Sequence, residues 1–407
     1  MFGRKNEISA FERWSAEVEG RLDPAPLCFL GTAGAGKTSL LKYARKELRA
    51  KNWICGYSEA SSDAGNALED FLEDIRRSAP GRRISSQTLS RLTGLTVSGL
   101  GVGASVKLGP GADRTRYQRV FDLLATLGKL SMKSGSGVAL LIDEAQVLPE
   151  ADLRLLFRVA NSLDGYPVSL MIAGLPGTPS RIAGETRRSR RDEDRDEDWD
   201  SDKSTGPLVR IVPYMQPLTT EESILDLSIP VQEADGRFAS KADIMSLVAF
   251  AEGHPLTLRM LGAAAWEAAD DGSENHGPVI NSEHVSWAIR SATEQLRWSY
   301  HEPMWTQSSS RERDLLLAIA SQTESIHVPS LCLLVKQPQI DVYDVFYSLR
   351  NRGVVHDSDF ASFAIPGFRQ FLQRNSSGMT TPREATVRDR ARRFFQRALG
   401  GVMRPNQ

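Results

Sequence analysis

The sequence has little cysteine and histidine, and neither residue occurs at a spacing that binds metal. Its three cysteines and six histidines form no pair or cluster at zinc-ligand or redox-motif spacing. A disulfide-stabilised secreted domain and a zinc-binding module are therefore excluded. Cys28 and Cys55 fall in predicted core strands and Cys332 in a predicted helix, so we interpret all three as small buried apolar residues.

The chain also lacks a long apolar run and a strong net charge. No segment offers about twenty uninterrupted apolar residues, and residues 1–7 have no apolar core of the kind that a secretory signal requires. These absences predict a cytoplasmic protein without a membrane partner. The formal net charge of -1 neither requires nor excludes a nucleic-acid partner. At 407 residues the chain exceeds the size of a single core, so two or three domains are expected.

One glycine-rich segment, residues 31–38, fits the phosphate-binding pattern G-x-x-x-x-G-K-[ST] at every fixed position. It lies between an apolar run at residues 26–30, which predicts a buried strand, and residues 39–48, which carry apolar side chains at helical spacing. Glycines let the backbone approach phosphates, and a helix N-terminus favours anions. We therefore predict that a nucleoside triphosphate binds here, through Gly31, Thr32, Ala33, Gly34, Ala35, Gly36, Lys37, Thr38 and Ser39.

Two adjacent acids follow the apolar run of residues 138–142. Apolar residues without alternation predict a strand covered on both faces, and open α/β sheets bind ligands at the carboxyl ends of such strands. We predict that Lys37 reaches the β- and γ-phosphates and that Thr38 and Asp143 hold Mg²⁺. Glu144 is expected to polarise the attacking water. Because neighbouring residues on a strand face opposite ways, this division of roles requires the strand to end at the acids.

Gln146 comes two residues after Glu144 and is expected to touch the γ-phosphate or to pass its state to the following helix. The competing interpretation of Asp143 and Glu144 is a helix-capping pair at the end of a strand. The phosphate loop upstream favours the catalytic interpretation, because nucleotide hydrolysis needs both groups of residues.

The alternation of strands and helices indicates the fold class. Predicted strands at residues 26–30, 53–58, 138–142, 168–173 and 208–212 alternate with helical patterns. This order predicts an α/β P-loop core with a doubly wound parallel sheet over residues 1–216. Residues 60–113 form an inserted segment that includes a strand or hairpin at 95–108. Residues 180–206 are densely charged, and we expect them to be disordered.

The pattern becomes helical after the core. Residues 217–297 predict a helical lid domain. Residues 298–375 begin with an aromatic stretch, interpreted as a packed linker, and continue as three helices followed by a hairpin, an order that predicts a winged helix. Residues 376–407 are expected to form a C-terminal helix or tail.

The chain lacks the signature motifs of several other classes of P-loop protein. The chain has no Leu-Ser-Gly-Gly-Gln run of a transporter ATPase, no Asn-Lys-x-Asp motif of a GTPase and no helicase arginine motif after residues 143–146. ATP is therefore the predicted nucleotide. The motifs at residues 2–7, 31–38, 141–146, 173–176 and 253–255 resemble those of AAA+ and STAND ATPases. The bacterial subgroup similar to origin-recognition ATPases is the nearest in pattern.

The resemblance implies an ATP-driven switch in which nucleotide lies between the α/β core and the helical lid. It implies that Pro255 of a Gly-x-Pro motif packs near the adenine and that Arg4 lies near the base. It gives Gly174 the position where many AAA+ proteins carry a polar sensor residue, and Gly174 has no side chain to make that hydrogen bond. Arg259, one helical turn after Pro255, is a candidate second sensor for the phosphates or an ordinary solvated arginine.

AAA+ subunits insert an arginine into the site of a neighbour, and such a residue can speed hydrolysis about a thousandfold or more. No arginine is singled out by its neighbours in this sequence. Arg210 is favoured because it lies near a predicted strand. The other candidates are Arg181, Arg187, Arg188, Arg190 and Arg191.

The predicted winged helix has little of the basic charge that DNA recognition requires. Residues 328–335 are mostly apolar, and the predicted wing at 356–359 is acidic. The basic residues nearby are Lys336, Arg350, Arg352, Arg369 and Arg374. The sequence therefore favours a homo-oligomeric ATPase switch that controls a protein partner. A DNA-associated ATPase, of the loader, initiator-like or transposition type, is the alternative. A scaffold that binds nucleotide without hydrolysing it is disfavoured by Glu144.

Overall fold

The computed structural model describes residues 3–20, 25–60, 73–74, 116–183, 209–212, 214–270, 277–322, 325–335, 339–356 and 358–376. The predicted hairpin at residues 95–108 and the tail at 377–407 lie outside these ranges. The described residues form two compact units. The N-terminal unit comprises Arg4–Gly31 and Gly36–Met215. The C-terminal unit comprises Gly3, Thr32–Ala35 and the chain from Gln216 onward.

The N-terminal unit is an α/β structure built on a parallel sheet. Its helices are α1 (Lys5–Glu19), α2 (Lys37–Ala50), α3 (Arg116–Met132), α4 (Glu150–Ala160) and α5 (Thr178–Ala183). Its strands are β1 (Leu27–Leu30), β2 (Ile54–Glu59), β3 (Val138–Asp143), β4 (Val168–Gly174) and β5 (Arg210–Ile211). The strands pair in parallel in the order β2-β3-β4-β1-β5. The predicted α/β core with a parallel sheet is therefore confirmed.

The uninterrupted apolar runs explain why the central strands are covered on both faces. Every residue of β3 and β4 is buried. Leu140 of β3 and Ile172 of β4 belong to an apolar cluster that also contains Leu127 of α3 and Phe157 of α4. Because the strands are parallel, β1, β3 and β4 present their carboxyl ends at one edge of the sheet. The residues that follow these three strands therefore share that edge.

The first part of the C-terminal unit is helical. Its helices are α6 (Thr220–Glu233), α7 (Lys241–Ala251), α8 (Pro255–Ala269) and α9 (Ser282–Leu296), and the short strands β6 (Arg237–Phe238) and β7 (Val279–Ile280) pair in parallel. Leu247, Leu258 and Leu261 are fully buried in its apolar cluster. The stretch interpreted as a packed linker, residues 298–305, is helical: Arg297–His301 form a π-helical turn, and α10 (Glu302–Thr306) follows it directly.

The remaining elements are α11 (Ser310–Ala320), β8 (Ile326–His327), α12 (Leu331–Val335), α13 (Gln339–Asn351), β9 (Phe360–Ala361) and α14 (Phe368–Ser376). β8 and β9 pair antiparallel, and Val355 forms a single bridge with Phe363. Glu312 of α11 is 3.0 Å from Arg352 and accepts from Ser348 of α13 at 2.9 Å. No helix in the described ranges is both long and apolar enough to cross a membrane.

Candidate phosphate-binding and hydrolysis site

The phosphate loop connects β1 to α2 through left-handed glycines. Gly34 and Gly36 have φ angles of +76° and +96°, which residues with a side chain rarely adopt. A Cβ at Gly36 would meet no atom within 4 Å, so backbone conformation rather than space accounts for glycine there. Thr38 and Ser39 lie in the first turn of α2. The loop thus has the glycine conformations and the helix start that a phosphate cradle needs.

Lys37, the first residue of α2, is buried, with 4% of its surface exposed. Its Nζ donates a hydrogen bond to the carbonyl of Gly31 at 3.0 Å. Burial lowers the pKa of Lys37, while the charges of Glu144 and Asp143 raise it. Both carboxylates are therefore close enough to act on the ammonium group. The structure brings together the three residues predicted to carry the chemistry.

The two acids occupy the end of β3, as their predicted roles require. β3 ends at Asp143, and Glu144 has a left-handed φ of +51°. Glu144 therefore leaves the line of the strand, and strand alternation does not dictate where its side chain lies. The Glu144 N–H donates to Asp143 Oδ1 at 2.9 Å. Asp143 is buried, whereas Glu144 is partly exposed.

Tyr57 of β2 is a site residue that the sequence did not reveal. Its hydroxyl group donates to Asp143 Oδ2 at 2.9 Å. Burial raises the pKa of Tyr57, and the neighbouring Asp143 charge raises it further, so the phenol stays protonated and acts as the donor. Asp143 is thus held at both carboxylate oxygens, by Tyr57 and by the Glu144 N–H.

Gln146 lies in a 3₁₀ turn, Ala145–Val147, directly after Glu144. Its Nε2 donates to Glu144 Oε2, and its Oε1 accepts from the N–H of Leu175 at 3.1 Å. Gly174, the last residue of β4, has no room for a side chain, because a Cβ there would overlap Thr178 Oγ1. The contact of Gln146 with the γ-phosphate stays a prediction.

Two of the arginine-finger candidates, Arg181 and Arg210, lie in the described part of the N-terminal unit and make contacts there. Arg181 of α5 donates from Nη1 to the carbonyl of Gln146 and from Nη2 to that of Leu148, each at 2.6 Å. This use of both terminal nitrogens removes Arg181 from the candidates. Arg210 of β5 forms an ion pair with Glu17 at 2.7 Å. The candidates at residues 187–191 lie outside the described ranges.

Within the C-terminal unit, the Gly-His-Pro segment contacts loop residues that belong to the same unit. His254 precedes α8, with Nδ1 2.7 Å from Thr257 Oγ1 and Nε2 2.8 Å from the carbonyl oxygen of Ala33. The Leu256 N–H donates to the Gly34 carbonyl at 3.2 Å. A Cβ at Gly34 would lie 2.5 Å from the His254 ring. No feature of the sequence indicates that His254 contacts the loop.

The other predicted nucleotide contacts have local roles in the structure. Pro255 is the first residue of α8, where proline suits the helix start. Arg259 is exposed on the same helix. Arg4 precedes α1, is buried, and lies 3.6 Å from Glu7. Their expected contacts with the adenine and the phosphates stay predictions.

The side chains present fit magnesium and a triphosphate. Mg²⁺ takes oxygen ligands and uses few protein groups alongside waters and phosphate oxygens, which matches a site offering Thr38 and Asp143. A buried lysine and left-handed glycines match the phosphates. Among the described residues, no group of three or more His, Cys, Asp or Glu side chains could hold a metal by itself.

The glycine loop lies between a strand and a helix, and a buried lysine follows it. Two acids stand at the end of a parallel strand of the same sheet. This arrangement defines a P-loop nucleotide-binding core. Residues 1–172 match the family model described as "AAA ATPase domain". This part of the chain is therefore an AAA ATPase domain, and the predicted resemblance is confirmed over it. A comparison with curated proteins gives no match.

Solved structures from archaea are similar at low identity. Cdc6p from Pyrobaculum aerophilum is 14% identical, with 92% of this chain and 94% of that chain covered, and has a TM-score of 0.44. Orc1 from Aeropyrum pernix, solved in complex with DNA, is 15% identical over 92% and 93% of the chains, with a TM-score of 0.41. A STAND protein with a tetratricopeptide repeat sensor from Pyrococcus horikoshii is 15% identical, covers 96% of this chain and 45% of that chain, and has a TM-score of 0.33.

Proposed function

We propose that the chain is an ATP-binding and ATP-hydrolysing molecular switch of the AAA+ or STAND type. The observation that carries the proposal is the arrangement of Lys37, Asp143 and Glu144: the lysine is buried at the start of α2, and the two acids follow each other at the end of β3. Asp143 is also fixed at both oxygens by hydrogen bonds. A site that only bound nucleotide would not need a second acid beside the loop.

In the proposed reaction the oxygen of a water molecule bonds to the γ-phosphorus of ATP. The bond from the γ-phosphorus to the β–γ bridging oxygen breaks, and its electron pair leaves with ADP. Glu144 polarises the water and accepts its proton. Lys37 and the amide groups of the loop stabilise the charge on the phosphate oxygens. Thr38 and Asp143 would hold Mg²⁺, which neutralises phosphate charge when bound.

The test of hydrolysis is ATP turnover by the full chain and by Glu144→Gln. We expect Glu144→Gln to lower turnover by about 100-fold or more, because a general base contributes roughly that factor, and to leave the Kd for ATP within about threefold. Glu12→Gln is the matched control, since Glu12 is exposed on α1 of the same unit. Unchanged turnover in Glu144→Gln would show that the catalytic assignment is wrong.

We propose a homo-oligomer that controls a protein partner, on the basis of the AAA resemblance and the character of the C-terminal elements. Arg352 forms an ion pair with Glu312, and Arg369 donates to the carbonyls of Ile319 and Gln322. These two arginines, which are among the basic residues near the predicted winged helix, are therefore already paired within the protein. α12 instead exposes Leu333 and Leu334.

Adding duplex DNA distinguishes the proposed switch from the alternative, a DNA-associated ATPase. Turnover and particle mass are measured with ATP, with and without DNA. A switch that controls a protein assembles with ATP and is unaffected by DNA. Stimulation of turnover by DNA, with binding that weakens steeply as salt increases, would favour the DNA-associated ATPase.

We propose the remaining architecture from the order of elements. α6 to α9 support a helical lid at residues 217–297. The helices α11 to α13, with the antiparallel pair of β8 and β9, support a winged helix within residues 298–375. The three free cysteines support a reducing, cytoplasmic location.

A further inference from the structure

The side-chain amide of Gln146 bridges Glu144 and the chain at the end of β4. The Leu175 N–H can only donate, so the amide oxygen Oε1 faces it, at 3.1 Å. The amide nitrogen must then face the other way, where it donates to Glu144 Oε2. The backbone of Leu175 thus decides which end of the amide meets the carboxylate.

α5 fixes both ends of this bridge. At one end, the Leu175 carbonyl accepts from Thr178 Oγ1 at 2.7 Å and from the Thr178 N–H at 3.0 Å. At the other end, Arg181 donates to the carbonyls of Gln146 and Leu148. The turn that carries Gln146 and the residue that orients its amide are therefore held by the same short helix.

The bridge ends beside the first residue of the phosphate loop. The Gly31 N–H donates to the Gly174 carbonyl at 3.2 Å, and Gly174 directly precedes Leu175. Thr178 fills the space that a side chain at Gly174 would need. With Thr178 in this position a side chain at 174 would collide with it, and Gln146 makes its contact through the backbone of the next residue.

We propose that Gln146 is a positioning residue for Glu144, and that Arg181 sets the turn from which it acts. Gln146 holds Oε2 of the carboxylate and leaves Oε1 to accept the proton of the water. A glutamate side chain has several rotatable bonds, and a catalytic group must be held within about half an ångström of its working position. The inference rests on the proposed function, because it requires Glu144 to be the group that polarises the water.

The test is steady-state ATP turnover by the full chain carrying Gln146→Ala. We expect kcat to fall by about 10- to 100-fold, the usual effect of losing a group that orients a working side chain, while KM for ATP stays within about twofold. Val147→Ala is the matched control, because Val147 lies in the same turn and is exposed. An unchanged or increased kcat in Gln146→Ala overturns the proposal, an increase being the result expected if Gln146 restrained Glu144.

A double substitution separates positioning from a general structural effect. In a Glu144→Gln background, Gln146→Ala is expected to cause no further fall in single-turnover hydrolysis, because its effect passes through Glu144. A full additional fall in the double variant contradicts the proposal.

The two proposals fail in different ways. If Glu144→Gln keeps native turnover, the proposed function and the role of Gln146 both fall. If Glu144→Gln loses turnover and Gln146→Ala does not, only the role of Gln146 falls. Thermal unfolding of each variant identifies any that is not folded, and Arg181→Lys then provides the second variant. It keeps the charge but loses the paired donors to Gln146 and Leu148, and we expect it to lower kcat in the same direction.

Discussion

Tyr57 shows how a single side chain on a neighbouring strand can orient Asp143, the proposed metal ligand. The register of β2 and β3 places Glu59 opposite Asp143 and Tyr57 opposite Leu141. The long tyrosine side chain reaches Asp143 across this diagonal, where its hydroxyl group donates to Oδ2. Asp143 is thereby held in one orientation, as its proposed role as a Mg²⁺ ligand requires.

We expect Tyr57→Phe to raise the Mg²⁺ concentration for half-maximal turnover by about 10-fold, because the carboxylate loses the donor that orients it. The measurement is a Mg²⁺ titration of ATP turnover. Tyr43→Phe, which removes the hydroxyl group of a partly buried tyrosine on α2, is expected to leave the titration unchanged. Identical Mg²⁺ dependence in native and Tyr57→Phe protein would show that the hydroxyl group does not orient the metal ligand.

Site residues that lie together in one short segment could be predicted from the sequence. Site residues that make contacts between different strands could not. The loop at 31–38 and the acids at 143–144 each follow from local chemistry in a recognisable order. Tyr57 and the Gln146–Leu175 contact depend on strand register and on a helix far along the chain. A single sequence carries no record of that register.

At the scale of elements, the start of α8 has an unusual cap. His254 Nδ1 accepts from the Thr257 N–H, and its Nε2 is hydrogen-bonded to Ala33 of the loop. Because a carbonyl can only accept, Nε2 is the donor in that bond, and the neutral ring satisfies both contacts. One side chain therefore caps a helix and holds the phosphate loop.

We expect His254→Ala to weaken ATP binding by about 10-fold, because a hydrogen bond between uncharged groups and the loop conformation it supports are lost. We also expect it to lower the free energy of unfolding by about 1 kcal/mol, because the helix cap is lost. Ser240→Ala is the control, because Ser240 caps α7 in the same way without touching the loop. Equal loss of stability with loss of ATP affinity only in His254→Ala supports the loop role. Unchanged affinity in His254→Ala contradicts it. The measurements are thermal unfolding and ATP titration.

Helix order was predictable from apolar spacing, whereas spacing was uninformative at two short segments. The aromatic residues at 298–305 have no clear helical period, yet the chain there is helical, and Arg297 pairs with Glu302 at 3.1 Å. In the mostly apolar residues 328–335, Pro329 lies in a separate 3₁₀ turn before α12. The ion pair between Arg297 and Glu302 supports the first segment, and the geometry of Pro329 explains the separate turn in the second.

At the scale of the whole molecule, boundaries drawn along the chain differ from the compact units. Thr32–Ala35 lie in the predicted core by sequence order, yet they belong to the C-terminal unit. Their hydrogen bonds to His254 and Leu256 account for this assignment. Sequence patterns show domains in chain order, whereas the compact units are defined by contacts between residues far apart in the chain. This division could therefore not be predicted.

The stability of the C-terminal unit is expected to depend on pH through His301. Its Nε2 donates to the Pro366 carbonyl at 3.0 Å, and its ring packs against Phe368 and Phe371 of α14. Burial lowers the pKa of His301 to about 4, below the value of about 6.5 in an unfolded chain. Between these values the unfolded chain binds a proton that the folded chain does not, so stability is lost as pH falls through this window.

We expect about 2 kcal/mol of stability to be lost at His301 between about pH 7 and pH 5. Chemical unfolding at the two pH values measures the loss, and His301→Leu should show a smaller one. His327→Leu serves as the control, because His327 is exposed. If native protein and His301→Leu lose the same stability on acidification, His301 is not the group responsible.

The tight contact between Gly174 and Thr178 also constrains how related sequences can differ. A side chain at position 174 collides with the threonine, and an alanine at 178 would no longer donate a hydroxyl hydrogen bond to Leu175. Positions 174 and 178 are therefore expected to covary: a relative with a polar side chain at 174 would carry a smaller residue at 178. In such a relative, the polar side chain at the end of β4 could bond to Glu144 directly. The glutamine at position 146 would then no longer be required for that contact.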